Sequence, residues 1–301
     1  MNEKEYQNSV KRKEAINRQN IWSKLKSYRK HPGSFLLLLL VCAAATITVI
    51  TLLFLVGYVL VTGVPNLKPS LFAWKYNSEN VSMMPAVINT IEMVLMALLV
   101  SVPLGVGAAI YLVEYAKKGN KIVGLVRLTA ETLTGIPSIV YGLFGMLFFV
   151  TALGWRNSML AGAMTLAIMV LPTVMRTTEE ALLSVPDSYR EGSFGLGAGK
   201  LRTVFQIVLP AAIPGILSGV ILAIGRIVGE TAALIYTAGT VAGYAGVMDS
   251  GRTLAIHMYV LSNEGMHKNE ANATAVILLL IVLGINAVSS KLAKKIEAPK
   301  A

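Results

Sequence analysis

The chain has 301 residues, of which 54% are hydrophobic and 14% are charged, and its formal net charge at pH 7 is +11. So low a charged fraction excludes an ordinary soluble domain, in which about a quarter of the residues are charged. A single cysteine, Cys42, excludes an intrachain disulfide.

The N-terminal residues 1–33 are polar and basic, and we predict that they form a cytoplasmic tail. Within them, the apolar residues of 17–29 share one helical face and basic residues line the rest. This pattern is typical of a short helix lying on an anionic membrane surface. A solvated basic tail without such a helix is the alternative. The C-terminal residues 294–301 are predicted to form a second cytoplasmic tail.

Six apolar stretches predict membrane-spanning helices, because a span needs about 18 or more apolar residues. They cover 34–62, 85–113, 123–153, 158–174, 210–242 and 271–292. The first lies too far from the start of the chain, and is too long, for a cleavable signal peptide. The sequence therefore predicts an all-α, polytopic membrane domain of about six transmembrane helices over residues 34–293.

Basic residues are concentrated on one side of the predicted spans. Of the 27 Lys and Arg residues, 20 fall before residue 34, after residue 290 and in the loops at 114–122 and 175–209. Such asymmetry is the positive-inside pattern and predicts both termini in the cytoplasm of a multi-pass plasma-membrane protein. The positive charge thus reflects membrane topology, and we expect the lipid bilayer, not nucleic acid, as its partner.

The third predicted span contains a proline that is followed by two residues with hydroxyl groups. Pro137 is expected to kink the helix, because it removes a backbone donor and frees a carbonyl. Ser138 and Tyr141 follow it and carry hydroxyl groups that can donate hydrogen bonds to an oxyanion. We assign both to a candidate substrate path, with a kink that serves only helix packing as the alternative.

Five ionisable residues fall inside the predicted spans, where each is costly unless it is paired or hydrated. They are Glu92, Arg127, Glu131, Arg226 and Glu230. Arg127 and Glu131 stand four residues apart, and so do Arg226 and Glu230, so each pair is expected to share a helical face. Arg226 and Glu230 lie near the middle of their span, and a guanidinium there can bind an oxyanion with two hydrogen bonds. We therefore assign these two residues to the substrate path, with a purely structural ion pair as the alternative.

The loop at 175–209 predicts two short cytoplasmic helices, at about 186–194 and 200–207. Gly195 and Gly197 can adopt the left-handed conformation that ends the first helix. We expect the second helix to stop at Leu209 and Pro210, where the fifth span begins.

The glycine-rich part of this loop is not a phosphate-binding loop, although it contains a Gly-Lys pair. Leu201 stands where such a loop needs a Ser or Thr to bind Mg²⁺. The three histidines of the chain also lack the spacing of a metal site. We expect no ATP, metal or other cofactor in this chain and no catalytic residues.

The spacing of the same loop resembles the ATPase-docking loop in the integral-membrane permeases of ABC importers. In those permeases the motif runs Glu-Ala-Ala, three residues, Gly, nine residues and Ile-x-Leu-Pro. The positions that match it in register are Glu191, Gly197, Ile207, Leu209 and Pro210, and Gly192 and Ser193 stand in place of the two alanines. The resemblance implies the type I permease fold and implies that these seven positions couple the chain to a partner ATPase.

Within that family the chain is most similar to PstA-type permeases of phosphate importers, over most of residues 34–293. The most specific segments are 135–145 and 225–234, and the second places Arg226 and Glu230 at positions implicated in phosphate passage. The likeness implies a second permease of PstC type, an ATPase dimer of PstB type that binds ATP and Mg²⁺, and an extracytoplasmic phosphate-binding protein of PstS type.

The predicted function is therefore a permease subunit of an ATP-driven phosphate importer, without an ATPase site of its own. One alternative is the same architecture as the PstC-type sister subunit or as a permease for another oxyanion, such as sulfate or molybdate. A second alternative is a secondary transporter or channel that needs no ATPase. We expect this less, because the sequence shows no internal inverted repeat.

Overall fold

The computed structural model of the protein describes residues 32–117 and 119–297. The predicted interfacial helix at 17–29 and the last residues of the C-terminal tail lie outside this part of the chain. All regular secondary structure in the described part is helical, which confirms the all-α fold.

The described residues form helices that we number in chain order. They are α1 (Pro32–Gly63), α2 (Met84–Ile110), α3 (Lys121–Thr134), α4 (Ser138–Gly145), α5 (Met159–Ser184), α6 (Asp187–Gly195), α7 (Lys200–Thr203), α8 (Leu209–Val228), α9 (Ala232–Thr237), α10 (Leu254–Glu264) and α11 (Lys268–Glu297). Wider π-helical turns at Tyr111–Tyr115, Met146–Ala152 and Val204–Val208 extend α2, α4 and α7.

The chain divides into two compact units, residues 1–58 and 59–301. In the first, the structure describes α1 up to Tyr58. Its side chains are apolar on every side and mostly exposed, as expected for a helix that is surrounded by lipid.

The second unit is built around α5. Residues Leu166, Met169, Val170 and Val174 on this helix are completely buried and belong to its main apolar cluster. This helix also runs on to Ser184, so the predicted fourth span, 158–174, was too short. The first turns of the predicted loop at 175–209 therefore belong to α5.

Five helices in the described part of the chain are long and apolar enough to cross a membrane, and there are six if α3 and α4 count as one bent span. These two helices meet at 103°, so the predicted third span is broken and not merely kinked. Pro137 lies at the break, immediately before α4. It causes the break because proline lacks a backbone donor and disfavours helical conformation in the residue before it.

The predicted fifth span, 210–242, is wrong in its second half. Helix α8 ends at Val228, and α9 resumes only at Ala232 and covers six residues. The backbone N–H groups of Gly229 and Glu230 bond back to Gly225 and Ile227, which closes the last turn of α8. Arg226 therefore lies in that last turn and Glu230 lies beyond the helix, so the two do not share a helical face as predicted.

Residues 238–253, the 238–253 loop, are anchored to the N-terminal parts of α2 and α5. The backbone N–H groups of Met159 and Leu160, at the start of α5, donate to carbonyls of this loop at 2.9 Å. The Asn89 side chain of α2 donates to the carbonyls of Gly243 and Arg252, at 2.9 and 3.2 Å. The loop thus lies at the end of α5 opposite to α6, which follows the C-terminus of α5.

Candidate translocation and coupling site

Residues 185–208, the coupling segment, begin with a helix that has the predicted ends. Helix α6 starts after Pro186, with Asp187 in its first turn. Gly197 follows it with φ +81°, in the left-handed region that favours glycine. Gly195 is still helical, so only one of the two glycines predicted to end this helix does so.

The second helix of the coupling segment does not stop at Leu209 and Pro210 as predicted. Helix α7, its π-helical turn and α8 form one continuous helical stretch from Lys200 to Val228. The π-helical turn ends at Val208, two residues before Pro210, and local adjustments of this kind accommodate the missing donor of a proline. The coupling segment is therefore continuous with the helix that carries Arg226.

The coupling segment exposes several large apolar side chains: Tyr189, Phe194, Leu196, Leu201 and Phe205. Glu191 and Gly192 are exposed on the same segment. Exposed apolar side chains grouped in this way are typical of a surface that binds another protein.

Ser193 joins the two halves of the coupling segment. It is buried, and its hydroxyl group shares a 2.8 Å hydrogen bond with the hydroxyl group of Thr203 in α7. Reasoning from the sequence treated Ser193 as a small residue in place of alanine, and no local pattern signals this bond. Ser193, where the family motif has an alanine, therefore adds a polar link between α6 and α7.

Arg190 was not predicted as a functional residue, yet it ties α6 to two spans. Its Nε and Nη2 atoms donate to Oε1 of Glu114, at the end of α2, at 3.1 and 2.7 Å. The same guanidinium donates to the carbonyls of Leu182 and Val185, at 2.9 and 2.8 Å. These carbonyls belong to the end of α5 and to the residue after it, where helices leave acceptors without partners.

The two broken spans pack against each other at their breaks. A Cβ atom added to Gly142 in α4 would lie 2.7 Å from the Cα of Ala233 in α9, so only glycine permits this approach. Tyr141 is buried, and its hydroxyl group donates to the carbonyl of Leu133 in α3 at 2.8 Å. The bond ties α4 to the end of α3 across their break. Ser138 is half-buried in the first turn of α4.

Arg226 and Glu230 lie at the second break. Oε1 of Glu230, a buried residue, accepts a 3.1 Å hydrogen bond from the backbone N–H of Ala233 in the first turn of α9. Arg226 is half-buried and forms no ion pair with any carboxylate in residues 32–117 and 119–297. Its charge is within electrostatic range of Tyr141. The structure thus places Tyr141 and Glu230 near Arg226, but without the predicted Arg226–Glu230 pair.

The second pair predicted within one helix, Arg127 with Glu131, is also replaced by contacts between helices. Arg127 bonds Glu179 of α5 at 2.5 Å, and Glu131 bonds Arg176 of α5 at 3.5 Å. Arg176 also bonds Glu180 at 3.2 Å. These residues line a cavity of about 290 Å³ between α3 and α5. Among the described residues, no group of three or more His, Cys, Asp or Glu side chains is placed to hold a metal ion.

Residues 101–298 match the family described as binding-protein-dependent transport system inner membrane component. The probable ABC transporter permease protein YqgI of Bacillus subtilis is 33% identical over 264 residues, which cover 81% of this chain and 89% of that protein. The phosphate transport system permease protein PstA of Yersinia pestis is 37% identical over 203 residues, 64% of this chain and 66% of that protein. PstA 1 of Mycobacterium tuberculosis is 43% identical over 143 residues, 48% of this chain and 46% of that protein.

Two solved structures have a similar fold. One is a bacterial alginate ABC transporter in complex with an alginate-bound periplasmic protein, with a TM-score of 0.62 and 16% identity over 92% of this chain and 99% of that chain. The other is the MetNI methionine ABC transporter, with a TM-score of 0.55 and 20% identity over 71% of this chain and 94% of that chain. The family match spans more than half of the sequence, so the chain belongs to the inner-membrane permease components of binding-protein-dependent ABC importers.

Proposed function

We propose that this protein is a permease subunit of an ATP-driven importer that carries inorganic phosphate into the cell. The proposal rests mainly on Arg226, whose half-buried guanidinium has no ion-pair partner among the described residues. It lies at the end of a helix that continues directly from the coupling segment. The relatives named PstA support phosphate as the cargo.

Arg226 and Glu230 suit a protonated oxyanion. A guanidinium presents paired donors that fit two oxygens of phosphate. A carboxylate has several acceptor positions, and the bond from Ala233 to Glu230 occupies one of them. Glu230 can thus accept a proton-bearing oxygen of phosphate, whereas sulfate at neutral pH has no proton to donate. Ser138 adds a hydroxyl donor, and Tyr141 can add a second by releasing the carbonyl of Leu133.

The coupling segment is the proposed docking surface for the ATPase. Glu191, Gly192 and the exposed apolar side chains would meet the partner, while Ser193 and Gly197 set the shape of α6. The stretch Ile207, Leu209 and Pro210 would transmit the movement into α8. The proposed partners are an ATPase dimer of PstB type that binds ATP and Mg²⁺, a second permease of PstC type and an extracytoplasmic binding protein of PstS type. The chain itself has no enzymatic role in this proposal, and both of its termini are cytoplasmic.

The test is uptake of radiolabelled phosphate by proteoliposomes that contain the complete transporter and its binding protein, with ATP hydrolysis measured in parallel. We expect Arg226→Gln to abolish uptake, because the anion loses its charged ligand, and to leave a basal ATPase rate. The matched control is Arg156→Gln, which removes an exposed positive charge that is distant in the sequence from α8. Uptake by Arg226→Gln at the control's rate would contradict the assignment.

The rival cargo is another oxyanion, because the name of the YqgI relative states no substrate. Competition in the same vesicles discriminates between the cargoes. Excess unlabelled phosphate should suppress uptake, and equal concentrations of sulfate or molybdate should not. Glu230→Gln should lower phosphate uptake and weaken the exclusion of sulfate. If that variant retains both properties, Glu230 has no part in choosing the anion.

A further inference from the structure

At the end of α5 opposite the coupling segment, three neighbouring polar side chains are buried. Arg252, Thr253 and His257 are 4%, 2% and 0% exposed. The atoms Nη2 of Arg252 and Oγ1 of Thr253 have no hydrogen-bond partner among the described residues, whereas the His257 side chain shares a hydrogen bond with the backbone of Val81. Buried polar groups in native proteins are almost always satisfied by protein, by water or by an ion. Two unsatisfied donors in adjacent residues therefore indicate that something else binds there.

Arg252 and His257 contact Tyr76, and Thr253 is the neighbour of Arg252 in the chain; we name these four residues the Arg252 cluster. The guanidinium carbon of Arg252 lies 4.7 Å from the centre of the Tyr76 ring. The His257 ring meets the same tyrosine edge to face, with 6.3 Å between ring centres. Thr253 is the cap residue of α10, and its carbonyl accepts the backbone N–H of His257 at 2.8 Å.

The cluster has an excess of positive charge and of donors. Among the side chains that the structure describes, no carboxylate forms an ion pair with Arg252, and Glu270 on α11 bonds Lys68 and His267. Thr253 forms no side-chain cap on α10, and the backbone N–H of Leu254 at the start of this helix donates to the hydroxyl group of Thr90 at 2.8 Å instead. Burial, followed by the charge of Arg252, lowers the pKa of His257 to about 3. The imidazole is therefore neutral, and its hydrogen bond with the Val81 backbone uses its single N–H donor.

We propose that the Arg252 cluster binds one small inorganic anion. The guanidinium supplies the opposite charge, and the Thr253 hydroxyl supplies a further donor. An anion here satisfies the donors that the fold leaves unpaired. This site is separate from the proposed cargo path at Arg226, and the inference does not depend on the identity of the cargo.

The bound anion has a defined structural consequence. The backbone of Arg252 donates to Val241 at 3.1 Å and accepts from the Asn89 side chain of α2 at 3.2 Å. An anion that fixes Arg252 therefore also fixes the 238–253 loop against α2 and α10. The loop should be better protected from solvent when the anion is present.

Hydrogen exchange measured by mass spectrometry on the complete transporter tests this. The protein is prepared in gluconate buffer, and chloride, sulfate or phosphate is added at constant ionic strength. We expect peptides covering 238–264 to exchange more slowly as one of these anions is added. Thr253→Val should raise the anion concentration for half-maximal protection roughly tenfold or more, because one hydrogen bond to the anion is lost. Arg252→Met should abolish the effect.

The matched control is Arg226→Gln, which removes the proposed cargo ligand and should leave this protection intact. That result separates the Arg252 cluster from the translocation path. Should Arg252→Met fail to fold, Thr253→Val decides the matter, because it removes only a hydroxyl group without a partner. Exchange that is the same in gluconate and in all three anions would mean that only water fills the cluster, and would overturn the proposal. A response that is equal in wild type and Thr253→Val would overturn it as well.

Discussion

Arg190 and Glu114 are 76 residues apart in the sequence, and two nitrogens of the arginine bond a single oxygen of the carboxylate, at 2.7 and 3.1 Å. Their side chains are only 15% and 8% exposed. The pair connects α6 to the end of α2, and the bonds from Arg190 to Leu182 and Val185 add the end of α5. A movement of α6 is therefore passed to two spans besides α8.

The first prediction concerns this connection. We expect Glu114→Gln to lower the amount of phosphate imported per ATP hydrolysed, because it removes the charge that fixes Arg190 and loosens α6 from α2. Removing one partner of a buried ion pair costs about 3–5 kcal/mol, and partial exposure reduces that cost here. The measurement is the ratio of uptake to hydrolysis in proteoliposomes.

Asp187→Asn is the matched control for that variant. Asp187 bonds the same guanidinium at 3.2 Å, but its side chain is 86% exposed, and exposed ion pairs contribute little. The transport ratio should therefore stay at the wild-type value. An equal loss in both variants would show that the charge of Arg190, and not its buried link to α2, controls coupling.

The second prediction concerns Ser193. Ser193→Ala removes the bond to Thr203 but leaves the 3.2 Å bond from the Thr203 hydroxyl to the carbonyl of Gly199. We therefore expect a loss of about 1 kcal/mol in the free energy of unfolding, and normal co-purification of the ATPase. Thermal unfolding and quantification of the bound ATPase check the two parts. A loss of ATPase binding would mean that the hydroxyl pair sets the docking geometry.

Local signals in the sequence predicted some elements well, while contacts between distant residues escaped prediction. The break at Pro137 and the ends of α6 follow from proline and glycine chemistry within a few residues. The break after Val228 has no proline, and its local signal is weaker: Gly229 is followed by the polar residues Glu230 and Thr231. The close approach of Ala233 in α9 to Gly142 in α4 joins residues that are far apart in the sequence. The ion-pair partners of Arg127 and Arg190 lie in other helices. Spacing along a single helix therefore predicted the wrong partner for Arg127 and predicted no partner for Arg190.

The third prediction concerns Gly197, whose φ of +81° L-residues rarely adopt. Gly197→Ala should weaken co-purification of the ATPase, because the strain of about 1 kcal/mol in a left-handed residue shifts the end of α6. Gly197→Pro should abolish it, since proline fixes φ near −65°. Glu191→Lys should also abolish co-purification, because it reverses an exposed charge.

Gly195→Ala is the control for these variants, because Gly195 is helical and a Cβ there meets nothing within 4 Å. If Gly197→Ala, Gly197→Pro and Glu191→Lys all bind the ATPase normally, the coupling segment is not the docking surface.

The fourth prediction concerns the pH dependence that His257 confers. Its pKa is lowered to about 3 in the folded protein, against about 6.5 in an unfolded chain. Between these values the unfolded chain binds the proton and the folded protein does not, so stability falls as the pH falls from about 6.5 towards 3. The slope approaches about 1.4 kcal/mol per pH unit. His257→Leu should flatten this slope, because the unfolded chain then takes up no proton at this position.

His267→Gln is the control. It alters a less buried histidine of the same region, so the slope should stay as in the wild type. Unfolding midpoints at pH 7 and pH 5 measure the slopes. Equal slopes in wild type and His257→Leu would show that other groups carry the pH dependence.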